Sequence, residues 1–170
     1  MTARLEKLVS GGQTGADRAA LDAALEVGIE IGGWCPKGRR AEDGAIPERY
    51  PLAETPERGY RARTRRNVED ADGTLVLNVG KLDGGTALTV RHARKTGKPC
   101  LVVQLEDGLD PAVFRAWLAR HRIGVLNVAG PREGKRPGIH AAALACMTAL
   151  LRAVVFESRQ DEATAPGRPS

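Results

Sequence analysis

The stretch "SGGQTGAD", Ser10 to Asp17, follows a short apolar segment and precedes an amphipathic run. Glycines just ahead of a helix let an anion approach unpaired main-chain N–H groups at the positive end of the helix dipole. The stretch is therefore a candidate anion cradle, and equally a candidate for the bare turn that joins a strand to a helix. Two more loops share its character: "KLDGGT" (81–86), whose Gly84, Gly85 and Thr86 open another helical run, and "GPREGKRPG" (130–138). None is a standard nucleotide fingerprint. "GGQTG" is not G-x-G-x-x-G. "GPREGK" has three residues between its glycines where a P-loop has four, and Arg136 stands where Ser or Thr would bind magnesium. An ordinary ATPase is excluded.

Positive charge gathers at Arg58, Arg61, Arg63, Arg65 and Arg66, with Lys37, Arg39 and Arg40 in the loop before them. Spacing of i,i+4 pairs Glu57 with Arg61 and Arg65 with Glu69, which makes part of this segment a solvated helix face. The surplus is a candidate phosphate-binding rim. His92, His121 and His140 form no metal or catalytic spacing, so no catalytic set and no metal site is expected. Cys100 and Cys146 fall in core patterns, which leaves Cys35 as the one thiol considered for reactivity. Its neighbour Trp34 is suited to stack on a flat ring or to plug its loop onto the domain.

The elements needed to position these loops alternate in type. Strands are expected at 5–9, 73–79 ("GTLVLNV"), 100–105 and 123–130, the continuous apolar runs being those of a sheet covered on both faces. Helices are expected from Thr14 to Gly28, with Thr14 as N-cap and Asp17 in the first turn, and then over 56–71, 86–95, from Pro111 and over 139–155. Residues 29–57, rich in Gly, Pro and charge, read as a long ordered excursion or a mobile loop. The pattern specifies an α/β, Rossmann-like fold: an open, mostly parallel sheet with helices on both faces. Right-handed crossovers would bring the three glycine loops to its carboxyl edge.

A chain of 170 residues with 42% hydrophobic content suits a single domain, expected over 1–157, with a disordered tail over 158–170. The three cysteines are odd in number and far apart, and neither a signal core nor a spanning segment stands out. A cytoplasmic protein with no membrane partner is expected. A net charge of +5 favours anionic partners, while 4% aromatic residues leave few platforms for single-stranded nucleic acid, making it an unlikely ligand.

Five blocks in order, "SGGQTGADRAALDAAL", "GGWCPKGRRAEDGAIPERYPLAE", "RTRRNVEDADGTLVL", "LDGGTALTV" and "LNVAGPRE", resemble the molybdenum carrier, or molybdenum cofactor carrier, proteins over about residues 8–150. That family belongs to a Rossmann-like superfamily with the cytokinin-activating phosphoribohydrolases and the DNA-processing proteins. The resemblance implies a homodimer or homotetramer that carries the molybdenum cofactor (molybdopterin), with molybdoenzymes as recipients. Position by position it implicates Gly11, Gly12, Gln13, Thr14 and Gly15, then Lys37 and Arg39, then Arg63, Thr64 and Asn67. Gly84, Gly85 and Thr86, with Gly130, Pro131 and Arg132, complete the set. Backbone N–H groups and arginine would take the anion, and Gln and Asn the ring edge. Bulk at Gly12, or reversed charge at Arg39, is expected to cost ligand uptake.

Carriage needs no nucleophile. The alternatives are a nucleotide sensor or a phosphoribohydrolase-like enzyme that cleaves the N-glycosidic bond of a nucleoside monophosphate. That enzyme's relatives place a glutamate three residues beyond the glycine-loop threonine. Thr89 stands there in this chain, and a hydroxyl is no general base near neutral pH. An acid would have to come from Glu69, Asp70 or Asp72. Single-stranded nucleic-acid binding through the basic helix is the third reading.

Overall fold

The run Gly73–Asn78 is buried at every residue, as an apolar strand without polar alternation must be when helices cover both sheet faces. A computed structural model describes residues 4–166 and places this strand next to the middle of a five-stranded sheet. In chain order the elements are β1 (Lys7–Val9), α1 (Ala16–Val27), β2 (Glu30–Gly32), β3 (Trp34–Cys35), β4 (Arg40–Ala41), β5 (Gly44–Ala45) and β6 (Ala53–Glu54). Then follow α2 (Tyr60–Asp70), β7 (Gly73–Asn78), α3 (Gly84–Lys95), β8 (Cys100–Gln104), α4 (Pro111–Arg120), β9 (Val125–Ala129) and α5 (Ile139–Thr164).

The main sheet has the order β2-β1-β9-β7-β8 and is parallel throughout. Leu8 lies opposite Ile31 on one side and Leu126 on the other, and Val76 lies between Val102 and Ala129. From β1 the chain steps outward to β2, and from β7 it steps the opposite way to β8. With right-handed crossovers this sends α1 to one face, where it packs on α5, and α3 to the other, where it packs on α2. The reversal opens a crevice above the carboxyl ends of β1, β9 and β7, the place where this architecture binds ligands. Leu8, Leu75, Leu77, Leu126 and Val128 from the sheet, with Leu21, Phe114, Leu118, Met147 and Leu151 from the helices, form the core.

Three expectations are corrected, and of the two alternatives for residues 29–57 the ordered excursion holds. Gly15 (φ 81°), not Thr14, precedes α1, and no side chain caps that end. Residues 29–57 are ordered: Ile31 enters β2, β3 pairs with β6, β4 with β5, and Ile46, Tyr50 and Leu52 join the core. The helix expected from residue 56 begins at Tyr60. Finally, α5 continues past the expected end of the domain to Thr164, because Ser158 and the following Arg, Gln, Asp, Glu and Ala residues extend an existing helix at little cost. Arg4 pairs with Glu162 along this extension, and residues 167–170 of the expected tail lie outside those described. By length and composition α5 would suffice to cross a membrane, yet Ile139, Ala143, Met147, Leu150, Leu151 and Val154 form a stripe buried in the core.

Candidate functional site

The crevice is a cleft of about 570 Å³, within the range of small-molecule sites. Its walls are the loop after β1, α2, the start of α3 and the loop after β9.

One end of the cleft is made by the first turn of α3. Gly84, Gly85 and Thr86 line it, and a β-carbon on Gly85 would meet nothing within 4 Å, so that main chain faces open space. Asp83 occupies the N-cap position but does not cap. Its carboxylate instead takes Lys135 Nζ at 2.6 Å and Arg136 Nη2 at 3.5 Å, and the hydrogen bond from Lys135 holds its pKa below the usual range. The α3 dipole is left without a side-chain cap, and Lys135, whose ammonium would stand 2.6 Å from a Gly84 β-carbon, supplies a cation beside it. An uncapped helix start with an adjacent ammonium is an arrangement for an anion.

The other end is polar without being simply cationic. Asp17, in the first turn of α1, has a side chain only 3% exposed and lines the cleft. Its Oδ2 accepts from Arg63 Nη1 at 3.0 Å and from the Gln13 main-chain N–H at 3.2 Å. Burial pushes this carboxyl above the ordinary aspartate range, against the opposing pull of the Arg63 charge. Gln13, Tyr60 and Thr64 complete this end, and the Arg63 guanidinium lies 5.5 Å from the centre of the Tyr60 ring. Arg61 and Arg91 stand at the mouth, exposed and in no ion pair with a described residue.

Nine of the residues implicated by the resemblance therefore meet around one cleft: Gln13, Arg63, Thr64, Gly84, Gly85, Thr86, Gly130, Pro131 and Arg132. The others are placed elsewhere, and all but Lys37 hold the walls. Gly11 makes room for Arg63, and Gly12 (φ +76°) backs onto Leu52 and Ile46. A β-carbon on Gly15 would lie 2.5 Å from Pro131 O, so this glycine lets the third loop close on the first. Thr14 hydroxyl donates to Glu42 Oε1 and accepts from Glu133 N at 3.2 Å. Arg39 donates to the carbonyls of Ile46, Pro47, Tyr50 and Leu52 and is the internal brace of the excursion rather than part of a rim. Lys37 is exposed outside the cleft, and Asn67 exchanges two hydrogen bonds with the Trp34 main chain.

The first loop commits four of its N–H groups inside the protein. Its N–H groups at Ser10, Gln13, Thr14 and Ala16 are spent on Gly32 O, Asp17, Gln13 Oε1 and Pro131 O. Trp34 acts as a plug, donating to Asp70 Oδ2 at 2.7 Å beneath the Arg66 guanidinium. Cys35 is buried and its thiol pKa raised by that burial, which makes it inert. Sequence reasoning missed Asp17, Lys135, Tyr60 and Arg91 as lining residues. Asp17 read as a first-turn acid and Lys135 as part of a failed P-loop, although Gln13 and Asp17 at i,i+4 on a helix start was a signal present in the sequence.

Catalytic options are narrow. Thr89 lines the cleft but its hydroxyl donates back to Gly85 O at 3.0 Å. Glu69 pairs with His92, Asp70 takes Trp34, and Asp72 takes the N–H groups of Gly124 and Val125. Among the described residues, Asp17 is the one carboxylate that lines the cleft.

A family model for the circularly permutated YpsA SLOG family matches residues 8–151. A solved structure from Syntrophus aciditrophicus SB, named "Putative molybdenum carrier protein", is 45% identical, with 89% of this chain and 97% of that chain covered and a TM-score of 0.83. Comparison with curated proteins returned no match. With most of the chain matched and the crevice where the fold requires it, this protein belongs to the circularly permutated YpsA SLOG family.

Proposed function

We propose that the protein binds and carries an anionic, phosphate-bearing ligand, the molybdenum cofactor, without converting it chemically. The observation that carries this reading is the uncapped start of α3 opening into the cleft beside Lys135. The volume suits a ligand of the size of a phosphorylated pterin or a nucleotide, and the name of the Syntrophus relative, a molybdenum carrier, favours a molybdenum-bearing ligand. Reversible carriage asks for complementarity to the ground state only, and Glu69, Asp70 and Asp72 are committed to structural partners. In this reading the protein works in the cytoplasm as a homodimer or homotetramer and hands its cargo to molybdoenzymes.

A second reading, N-glycosidic cleavage of a nucleoside monophosphate, rests on Asp17, whose raised pKa would suit a general acid. The two separate in one experiment. Protein purified without oxygen is denatured, and the released small molecules are analysed by mass spectrometry and by elemental analysis for molybdenum and tungsten. A pterin with stoichiometric metal is the expected result. A nucleotide without metal, accompanied by release of free base on incubation, would replace carriage with hydrolysis.

A further inference from the structure

We propose that Gln13 and Asp17 read the ring of the bound ligand and select a 2-amino-4-oxopyrimidine edge, the edge that guanine and pterins share. The proposal rests on the anion-binding reading above, which fixes the phosphate at α3 and leaves the Gln13 and Asp17 end of the cleft for the rest of the ligand.

The orientation of Gln13 follows from its neighbours. Its Oε1 accepts from the main-chain N–H of Thr14 at 3.0 Å and of Glu42 at 2.9 Å. A carbonyl oxygen has two lone pairs, and both are used, so the amide cannot be turned around without losing two bonds. What Gln13 offers the cleft is its Nε2 donor. Asp17 offers the complement. Ionised, it is an acceptor-only group, tied to Gln13 by the main-chain bond at 3.2 Å and held by Arg63, which lines the cleft beside it. Arg63 spends its charge on Asp17 and lies in the slot left by Gly11, so it serves as the support of the carboxylate.

A carboxylate at one end of a cleft that is otherwise cationic repels a phosphate and therefore faces the neutral part of an anionic ligand. A donor beside an acceptor matches a ring edge on which a carbonyl adjoins N–H groups. The 2-amino-4-oxopyrimidine edge carries an amino group, a ring N–H and a carbonyl in succession. The first two donate to Asp17 Oδ1, since Oδ2 is filled by Arg63 and the Gln13 N–H, and the third accepts from Gln13 Nε2. Adenine presents one amino group beside an unprotonated ring nitrogen, and the lone pair of that nitrogen opposes a carboxylate.

The test is calorimetric titration of the wild-type protein with guanosine, inosine and adenosine 5′-monophosphates and with dihydroneopterin monophosphate. At least one 2-amino-4-oxo ligand is expected to bind roughly tenfold or more tighter than adenosine monophosphate, with inosine monophosphate weakened by loss of the amino group. Tighter binding of the pterin assigns the ring to a pterin, and tighter binding of guanosine monophosphate assigns it to a nucleotide. Asp17→Asn, checked for folding by thermal unfolding, is expected to bring the guanosine-to-adenosine ratio close to one. Adenosine monophosphate binding as tightly as both 2-amino-4-oxo ligands overturns the proposal without need of the variant. So does an unchanged ratio in folded Asp17→Asn, whereas release of free guanine overturns carriage without conversion and leaves the ring reading standing. Lys135→Ala separates the two levels: if it weakens all four ligands alike while the wild type does not discriminate, the anion site stands and the ring reading falls. Failure of all four ligands to bind overturns both.

Discussion

The Arg63 guanidinium occupies the space that a side chain on Gly11 would need: an added β-carbon would lie 1.7 Å from Nη1, the atom that donates to Asp17 at 3.0 Å. Glycine at 11 and arginine at 63 are thus one structural unit, joining the loop after β1 to α2 beneath the cleft.

Gly11→Ala should therefore act by expelling Arg63 from Asp17. Breaking a largely buried pair leaves a carboxylate with one bond fewer, and the expected loss is about 3 kcal/mol of stability, somewhat less if Arg63 finds water. A double-mutant cycle checks the mechanism. Gly11→Ala in an Arg63→Ala background should cost far less than in the wild type, whereas additive effects would mean that Gly11 matters for another reason.

Arg39→Met should lower stability rather than ligand affinity. Four carbonyls of the excursion lose Arg39 at once; those of Pro47 and Tyr50 keep main-chain donors, and those of Ile46 and Leu52 each cost about 1–3 kcal/mol where they stay buried and unpaired. Denaturant unfolding should show a loss of several kcal/mol, while the Kd of the fraction that remains folded at low temperature stays within about twofold of wild type. Gly12 belongs with Arg39. Its positive φ and its contact with Leu52 and Ile46 make bulk there a folding defect first, ahead of the loss of ligand uptake expected from the sequence.

Acid should loosen the hairpin of β4 and β5 from the cleft. Burial alone would raise Glu42, but the Thr14 hydroxyl, the Gly134 N–H and Arg132 together bring its pKa below the usual range, and Asp43 is lowered chiefly by its hydrogen bond from Arg18. A depressed carboxylate contributes stability above its unfolded pKa and loses that contribution as pH falls through the folded value. Thermal stability should thus decline as pH falls below roughly 4 to 5, and Glu42→Gln should start lower at neutral pH and decline less steeply. Asp17 runs the other way. Its raised pKa means that ionising it costs stability as pH rises through the folded value, so Asp17→Asn should remove that slope.

Lys135→Ala should weaken binding of a phosphate monoester by roughly tenfold and reduce its salt dependence, with little change in thermal stability because the ion pair with Asp83 is partly open to solvent. A Kd unchanged at low salt would remove Lys135 from the site.

The alternation of strands and helices was legible because β7, β8 and β9 are continuous apolar runs and Asp110-Pro111 is an unambiguous helix start, with Asp110 accepting from Ala112 N at 2.7 Å. The excursion over 29–57 was not, because its strands are two or three residues long and its order comes from Arg39 binding carbonyls remote in sequence, which no local pattern encodes. At the site, glycines identify where the main chain is tight without saying whether a ligand or a neighbouring loop fills the space. Gly84 and Gly85 face the cleft, whereas Gly11, Gly12 and Gly15 face Arg63, Leu52 and Pro131. Asp17 escaped notice because an acid in a first helical turn has an ordinary explanation, and only the fold shows that this one is buried against an arginine at the cleft.

The most direct measurement is a titration of isotope-labelled protein with dihydroneopterin monophosphate and guanosine 5′-monophosphate, followed through the main-chain amide resonances. Saturable shifts are expected at Gly84, Gly85 and Thr86, with smaller changes at Gly11, Gly12 and Gly15, for whichever ligand binds. Shifts centred on the first loop with none at α3, or no saturable shift with either ligand, would contradict an anion held at the start of α3.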